Sequence, residues 1–378
     1  MAGHARSGAV PALACEPRAR SVRLLHTRHA RAFSTGASQQ VDGPSSTAHP
    51  GRMDLPREPD LRLPEPMLAA DYRRAFGADL RLRRSADRGE LQRIGWGQYV
   101  QAGAWAKLDL DQRYAVRVKA AARVRGGDLP LSHQSAAVLW RLPLLVGWPA
   151  NVHFLRERAE GGRSDPGIRK HAVGFDGRDV ELLDGVLITS VARTVVDLAA
   201  TLDLRSAVAA ADRALAVDRT GRVAPLTDRA TLLATWERML PFRGSARARM
   251  VIDFASPWSG SPDESSSRVS IALAGFPEPE LQHPFEVDGR IVFTDFFWRV
   301  ENSVGESDGR IKYFDPVMLA GRTPAEVVYL EKLREDAIRR QVAGFTRWDH
   351  ATGMSVARLR SRLLLLGLPL GHPRIVAW

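Results

Sequence analysis

The stretch Phe285–Trp298 constrains this chain most. Phe285 to Val287 and Ile291 to Trp298 read as two strands joined at Asp288-Gly289, a dipeptide suited to the positive φ values of a two-residue hairpin turn. In the second strand Ile291, Phe293, Asp295 and Phe297 share one face, by the two-residue period of extended backbone. A carboxylate on an apolar strand face is costly unless it is paired or holds a cation. Asp295 is therefore the residue around which the C-terminal third has to be read.

Before the hairpin, Val269, Leu273 and Phe276 hold one face of a helix that opens near Ser261. After it, Val300 to Glu306 read as a further strand, ended by Asp308-Gly309. Glu306 and Asp308 stand two apart and project from one side, with Lys312 and Tyr313 just beyond. Glu264, Asp295, Glu306, Asp308 and Lys312 are thus expected to converge at one end of a sheet as a catalytic set. Asp295, Glu306 and Asp308 would be metal ligands, because Mg²⁺ takes carboxylate oxygens and keeps several waters. A lysine beside them orients an attacking water or neutralises charge on phosphate. Plainer roles compete: Ser261-Pro262-Asp263-Glu264 is also a helix-capping sequence, and Asp308-Gly309 also a simple turn. Thr323-Pro324-Ala325-Glu326 is read as a cap outright.

These residues resemble the Vsr-like branch of the PD-(D/E)XK nucleases over about Ser261 to Leu366. The resemblance is carried by Ser261, Pro262, Glu264 and Ser265; by Gly275, Phe276, Pro277, Pro279 and Gln282; and by Asp295, Phe296 and Trp298. It continues through Glu306, Asp308, Gly309, Lys312 and Tyr313, and then Arg334, Asp336 and Arg347. It implies a restriction-endonuclease-like α/β domain, an Mg²⁺ cofactor and hydrolysis of DNA phosphodiesters. Two departures stand out. Phe276 replaces the family's usual Leu. Glu301 to Gly305 is polar where the family strand is apolar, which predicts a loose strand that positions Glu306 poorly.

The front of the chain carries a second resemblance. Met67, Leu68, Tyr72 and Phe76 keep helical spacing until Gly77, and Ser85 to Leu91 is a second short helix or a turn. Leu91 to Val100 then flanks Gly95-Trp96-Gly97 with apolar residues, as a short hairpin would. Arg81, Arg83, Arg84, Arg88 and Arg93 cluster there. With Gly89, Leu91, Arg93, Gly97 and Tyr99, the pattern resembles the N-terminal winged-helix domain of AbiEi-type antitoxins. That resemblance implies a winged helix-turn-helix that binds DNA through those five arginines. It also implies a non-catalytic alternative: a transcriptional regulator in a toxin–antitoxin system, with a cognate toxin protein as partner. The plainer reading is a solvated arginine face.

Between these regions, Leu131 to Leu142 reads as a helix capped by Ser132, and Gly185 to Leu215 as a strand followed by two helices. Ser190 is placed to cap the first of those helices. Arg193 and Asp197 stand at i, i+4, an intrahelical pair worth about 0.3–0.5 kcal/mol. His133 and Arg193 are read as structural.

Fifty-four basic residues oppose 43 acidic ones, a net charge of +11 that fits a polyanionic partner and equally fits an arginine-rich composition. Met1 to Arg52 holds seven arginines against Glu16 and Asp42 and lacks an apolar period, so it is expected to be a disordered basic tail. Met53 is an alternative start. Cys15 is the only cysteine, which excludes a disulfide framework and a cysteine-based zinc site. No apolar run approaches the roughly 20 residues of a membrane span, so a cytoplasmic protein without a membrane partner is expected. The expected architecture is α+β or α/β: a tail over 1–52, a winged-helix-like domain over 60–105, a mostly helical middle over 106–243, and the endonuclease-like domain over 244–378.

Overall fold

A computed structural model describes residues 63–125, 129–161, 164–218, 223–308 and 323–378. The expected tail and Lys312 lie outside the described residues. All that is described belongs to one compact unit, Pro50–Trp378, of mixed α and β structure. Among the described residues no helix is long and apolar enough to cross a membrane.

The front begins with a short strand, β1 (Met67–Leu68), then α1 (Ala69–Phe76) and α2 (Leu80–Asp87). A hairpin follows, β2 (Leu91–Gly95) and β3 (Gln98–Gln101). Gly77 ends α1 at φ 75°, the left-handed conformation glycine adopts without a steric cost. β3 pairs antiparallel with both neighbours, giving the sheet order β1-β3-β2. Ala69, Leu82, Leu91 and Tyr99 form its small core.

The middle is less helical than its sequence suggests. After α3 (Ala102–Ala106), α4 (Leu110–Val124) and α5 (His133–Leu139) come β4 (Val152–Leu155) and β5 (Ile168–His171), paired in parallel. β6 (Val180–Leu183) and β7 (Val186–Thr189) form an antiparallel hairpin. Leu131 bridges the two pairs by contacting Phe154 and Ile188. Then α6 (Val191–Thr201), α7 (Leu204–Leu215), α8 (Arg229–Met239) and α9 (Ser245–Phe254) assemble the largest core. That core continues across Gly244: Val269, Ala272 and Ile375 join Val195, Leu198 and Val208. A buried Arg268–Asp212 pair at 2.6 Å lies beside it.

The C-terminal part runs α10 (Pro262–Ala274), β8 (Glu280–Val287), β9 (Arg290–Trp298), β10 (Ser303–Asp308), a helix over Pro324–Arg339, and β11 (Gly344–Asp349). A helix over Val356–Leu364 completes it. The sheet order is β11-β10-β9-β8, antiparallel except for the parallel β10–β11 edge. Asp288 and Gly289 have φ of 49° and 70°, both positive as the two-residue turn requires. Each sheet face carries its own helical layer. Phe296, Trp298 and Trp348 pack with Ile271 of α10 and with Leu359 and Leu363. Phe285, Phe297 and Val304 pack with Ile338 of the Pro324–Arg339 helix.

Candidate functional site

β10 is central and well held, contrary to the loose strand expected from its polar composition. It pairs with β9 on one side and with β11 on the other, and Ser303 to Ser307 are all buried. The glycine has a packing reason. A methyl group at Gly305 would stand 2.6 Å from Cη2 of Trp348 and 3.1 Å from Cζ3 of Trp298. Polar residues are tolerated because pairing on both sides satisfies the backbone while two tryptophans fill the volume a side chain would take.

The β9–β10 pairing runs Trp298–Ser303, Phe297–Val304 and Phe296–Gly305. The next two residues are Asp295 and Glu306, only 6% and 4% exposed. Oδ2 of Asp295 accepts the backbone N–H of Ser307 at 2.8 Å. Glu306 and Asp308 follow Val304 at the two-residue period and share its face. Phe297 and Val304 belong to one core cluster, which also takes in Phe285 and Val292. A strict two-residue period would put Val292 and Phe297 on opposite faces, so the alternation of β9 slips between them, in the stretch that holds Asp295. Ile291, expected on the face of Phe297, is 65% exposed, and Val292 is buried in its place.

Two arginines meet these acids. Arg334 donates to Oε1 of Glu306 at 2.8 Å. Arg347 on β11 donates to Asp308 at 2.7 Å and stands 3.7 Å from Oε2 of Glu306. Its other partners are Glu331 at 2.6 Å and Glu335 at 2.9 Å. Burial opposes the charge on Arg347, but Glu331, Glu306 and Asp308 outweigh it and raise the pKa above the usual arginine value. Reasoning from sequence misses Glu331 and Glu335. Their i, i+4 spacing on a helix ahead of Arg347 is the signal that could find them.

Glu264 belongs to a different arrangement. Its Oε2 accepts from the Gly260 N–H at 2.7 Å and from Nε2 of Gln282 at 3.0 Å, and its Oε1 accepts from Ser261 at 3.0 Å. Ser261 caps α10 by accepting the Glu264 N–H. Ser261 therefore caps the helix as expected, but Glu264 does not complete the reciprocal box, reaching the N–H of Gly260 instead of Ser261; two residues of the nuclease-like pattern, Glu264 and Gln282, touch each other. Asp308 closes β10, paired with Asp349 in the β11 register; Gly309, the other half of the expected turn, lies outside the described residues. Thr323 and Glu326 form the expected reciprocal cap. Lys312 lies outside the described residues.

The donor chemistry fits Mg²⁺. Asp295 and Glu306 are buried carboxylates with hard oxygen donors, the type this ion selects. In the structure the cations facing Glu306 and Asp308 are the guanidinium groups of Arg334 and Arg347.

At the front, Arg81, Arg83, Arg84, Arg88 and Arg93 are all exposed. Three are tied locally: Arg83 approaches Asp79 at 3.4 Å, Arg88 holds Glu90 through two bonds of 2.7 and 3.0 Å, and Arg93 donates to the Gly95 carbonyl at 3.2 Å. Arg93 lies over Trp96 at the hairpin turn, 5.4 Å from the ring centroid, and Trp96 is 88% exposed. Arg81 and Arg84 stand three apart on α2, hence on one helical face.

No protein family matches the chain, and no curated protein matches its sequence.

Proposed function

We propose that this protein binds duplex DNA through its front domain and hydrolyses a DNA phosphodiester at Asp295 of β9 and Glu306 of β10. The observation that carries the reading is the placement of those two buried carboxylates on adjacent strands, at the point where the β9–β10 pairing ends. The order α10-β8-β9-β10-helix-β11 supports it, since it is that of a restriction-endonuclease-like core, with helices on both faces of one sheet. The front order strand, two helices, hairpin, with sheet order β1-β3-β2, supports a winged helix-turn-helix.

In this reading Asp295, Glu306 and Asp308 would hold Mg²⁺, which would supply Lewis-acid polarisation of the phosphate and charge neutralisation. The Ser307 amide fixes Asp295 so that its carboxylate is already oriented. Arg334 and Arg347 neutralise Glu306 and Asp308. Glu264 keeps α10 and β8 in register through Gln282, a positioning role. Lys312 serves the attacking water, as the sequence pattern implies. Arg81, Arg83, Arg84, Arg88 and Arg93 meet backbone phosphates, giving affinity without sequence choice.

A second reading rests on one observation: Arg334 and Arg347 already satisfy Glu306 and Asp308. A regulator of the AbiEi antitoxin type, acting on its operon or on a cognate toxin, needs no metal at these acids. Nicking of supercoiled plasmid in Mg²⁺ or Mn²⁺, with Asp295→Asn as control, separates the two. Cleavage that disappears in the variant supports the hydrolase; DNA binding without cleavage supports the regulator.

A further inference from the structure

A cluster of three histidines lies in the middle of the chain, among residues that the proposed DNA chemistry does not use. His133 opens α5, His153 lies in β4 and His171 ends β5. One ring nitrogen from each lies within 4.8 Å of those of the other two. Nε2 of His171 and Nδ1 of His153 are 3.1 Å apart. The ring centroids of His133 and His171 are 3.7 Å apart, and those of His153 and His171 5.1 Å. From these positions we infer that His133, His153 and His171 form a binding site for a divalent transition ion of the Zn²⁺ type, independent of the carboxylates.

Three observations converge on this site. The first is spacing. Tetrahedral Zn²⁺ with bonds of about 2.0–2.1 Å places two nitrogens about 3.3 Å apart, near the separation between His153 and His171. The second is backbone. His133 has φ 50°, a left-handed conformation that a buried residue other than glycine rarely keeps unless its surroundings impose it. Here the Ser132 N–H donates to the His153 carbonyl at 3.0 Å, and the His153 N–H to Ser135 Oγ at 2.8 Å, so the α5 start is laced to β4. Ser132 does not cap α5 as expected. Its hydroxyl instead meets Nδ1 of His133 at 3.0 Å.

The third is an unsatisfied acceptor. Oδ2 of Asp197 is buried, accepts no hydrogen bond among the described residues, and stands 3.9 Å from Nδ1 of His133. The carboxylate thus faces the ring from beyond hydrogen-bond distance while Ser132 Oγ meets Nδ1 directly, the place an outer-shell oxygen takes behind a metal-ligating histidine. Arg193 fixes Asp197 from the other side at 3.0 Å. Imidazole donors suit Zn²⁺, Co²⁺ and Ni²⁺ better than Mg²⁺.

The test uses the full chain, stripped with chelator and titrated with Zn²⁺ and then Co²⁺. The expected result is one Zn²⁺ per chain and a Co²⁺ visible spectrum typical of a four-coordinate, nitrogen-rich site. His171→Gln should abolish both, and Asp197→Asn should weaken Zn²⁺ by about 10–100-fold, as loss of an outer-shell partner does. A chain carrying Asp295→Asn and Glu306→Gln should bind Zn²⁺ as the wild type does, which separates this site from the carboxylates. If circular dichroism shows that His171→Gln does not fold, the wild-type Co²⁺ spectrum decides. An octahedral spectrum, no bound ion, or binding that disappears with the carboxylates rather than with His171 overturns the inference.

Discussion

Oδ2 of Asp295 accepts the backbone N–H of Ser307 at 2.8 Å, joining β9 to β10 just beyond their last paired positions, Phe296 and Gly305. The bond gives one oxygen of a buried carboxylate a backbone partner, as a buried polar group requires. It also ties the orientation of Asp295 to the backbone that carries Glu306. Any change that shifts β10 therefore reaches both acids together.

Gly305 offers the most direct handle on that strand. Gly305→Ala places a methyl group against Trp348 and Trp298, and overpacking of this kind costs about 1–3 kcal/mol. Urea denaturation should show a lower midpoint at an unchanged slope. An unaltered midpoint would mean that the tryptophans give way freely and that β10 is not held as described.

The buried ion-pair network in the middle should be far more sensitive than its sequence spacing implies. Arg193 is 1% exposed and donates to Asp197 at 3.0 Å and to Asp179 at 3.1 Å, while Arg238 reaches Asp179 at 2.6 Å. Asp179→Ala leaves Arg193 short of a buried partner, a loss of about 3–5 kcal/mol. Asp253→Ala, which removes the exposed Arg249–Asp253 pair, should cost under about 1 kcal/mol. Equal losses by thermal unfolding would refute the distinction.

This contrast marks what is legible in the sequence. Local signals read well: the Asp288-Gly289 turn, the Gly77 stop, the Ser190 and Thr323 caps and the helices flanking Leu202 all appear in the fold. Period alone also places Asp295 among buried residues. Relations between distant segments do not read. Nothing near Arg193 announces Asp179, fourteen residues earlier in the chain. His133, His153 and His171 come from three elements, and β4, β5 and β6 are only four residues each, too short for a period to emerge. Gly305 suggests a loose strand when read alone, because its role belongs to Trp348, a residue on another strand.

Tyr114 sets an expectation at high pH. Its hydroxyl bonds Ser135 Oγ at 2.8 Å and the Asn151 carbonyl at 2.9 Å, and burial pushes its pKa up to about 12. The unfolded chain loses this proton near pH 10, whereas the folded chain keeps it until about 12. Its contribution is thus complete below pH 10 and falls as pH rises toward 12, by up to about 2–3 kcal/mol. Tyr114→Phe should cost about 1 kcal/mol at neutral pH through the missing hydrogen bonds. The Tm difference between variant and wild type should shrink or reverse by pH 12. A constant difference would place the hydroxyl in water.

The front domain is tested by the salt dependence of binding. Arg81→Ala combined with Arg84→Ala should weaken duplex affinity for all sequences alike. The slope of log K against log salt should fall by about one for each phosphate that α2 no longer neutralises. An unchanged slope would remove α2 from the interface.

Hydrolysis at Asp295 and Glu306 is read out by supercoiled plasmid incubated with the full chain and Mg²⁺ or Mn²⁺ and followed on a gel. The wild type should give nicked or linear product, and Asp295→Asn none despite retained DNA binding. Cleavage by Asp295→Asn at the wild-type rate, or no cleavage by a wild-type protein that binds the same DNA, would contradict it.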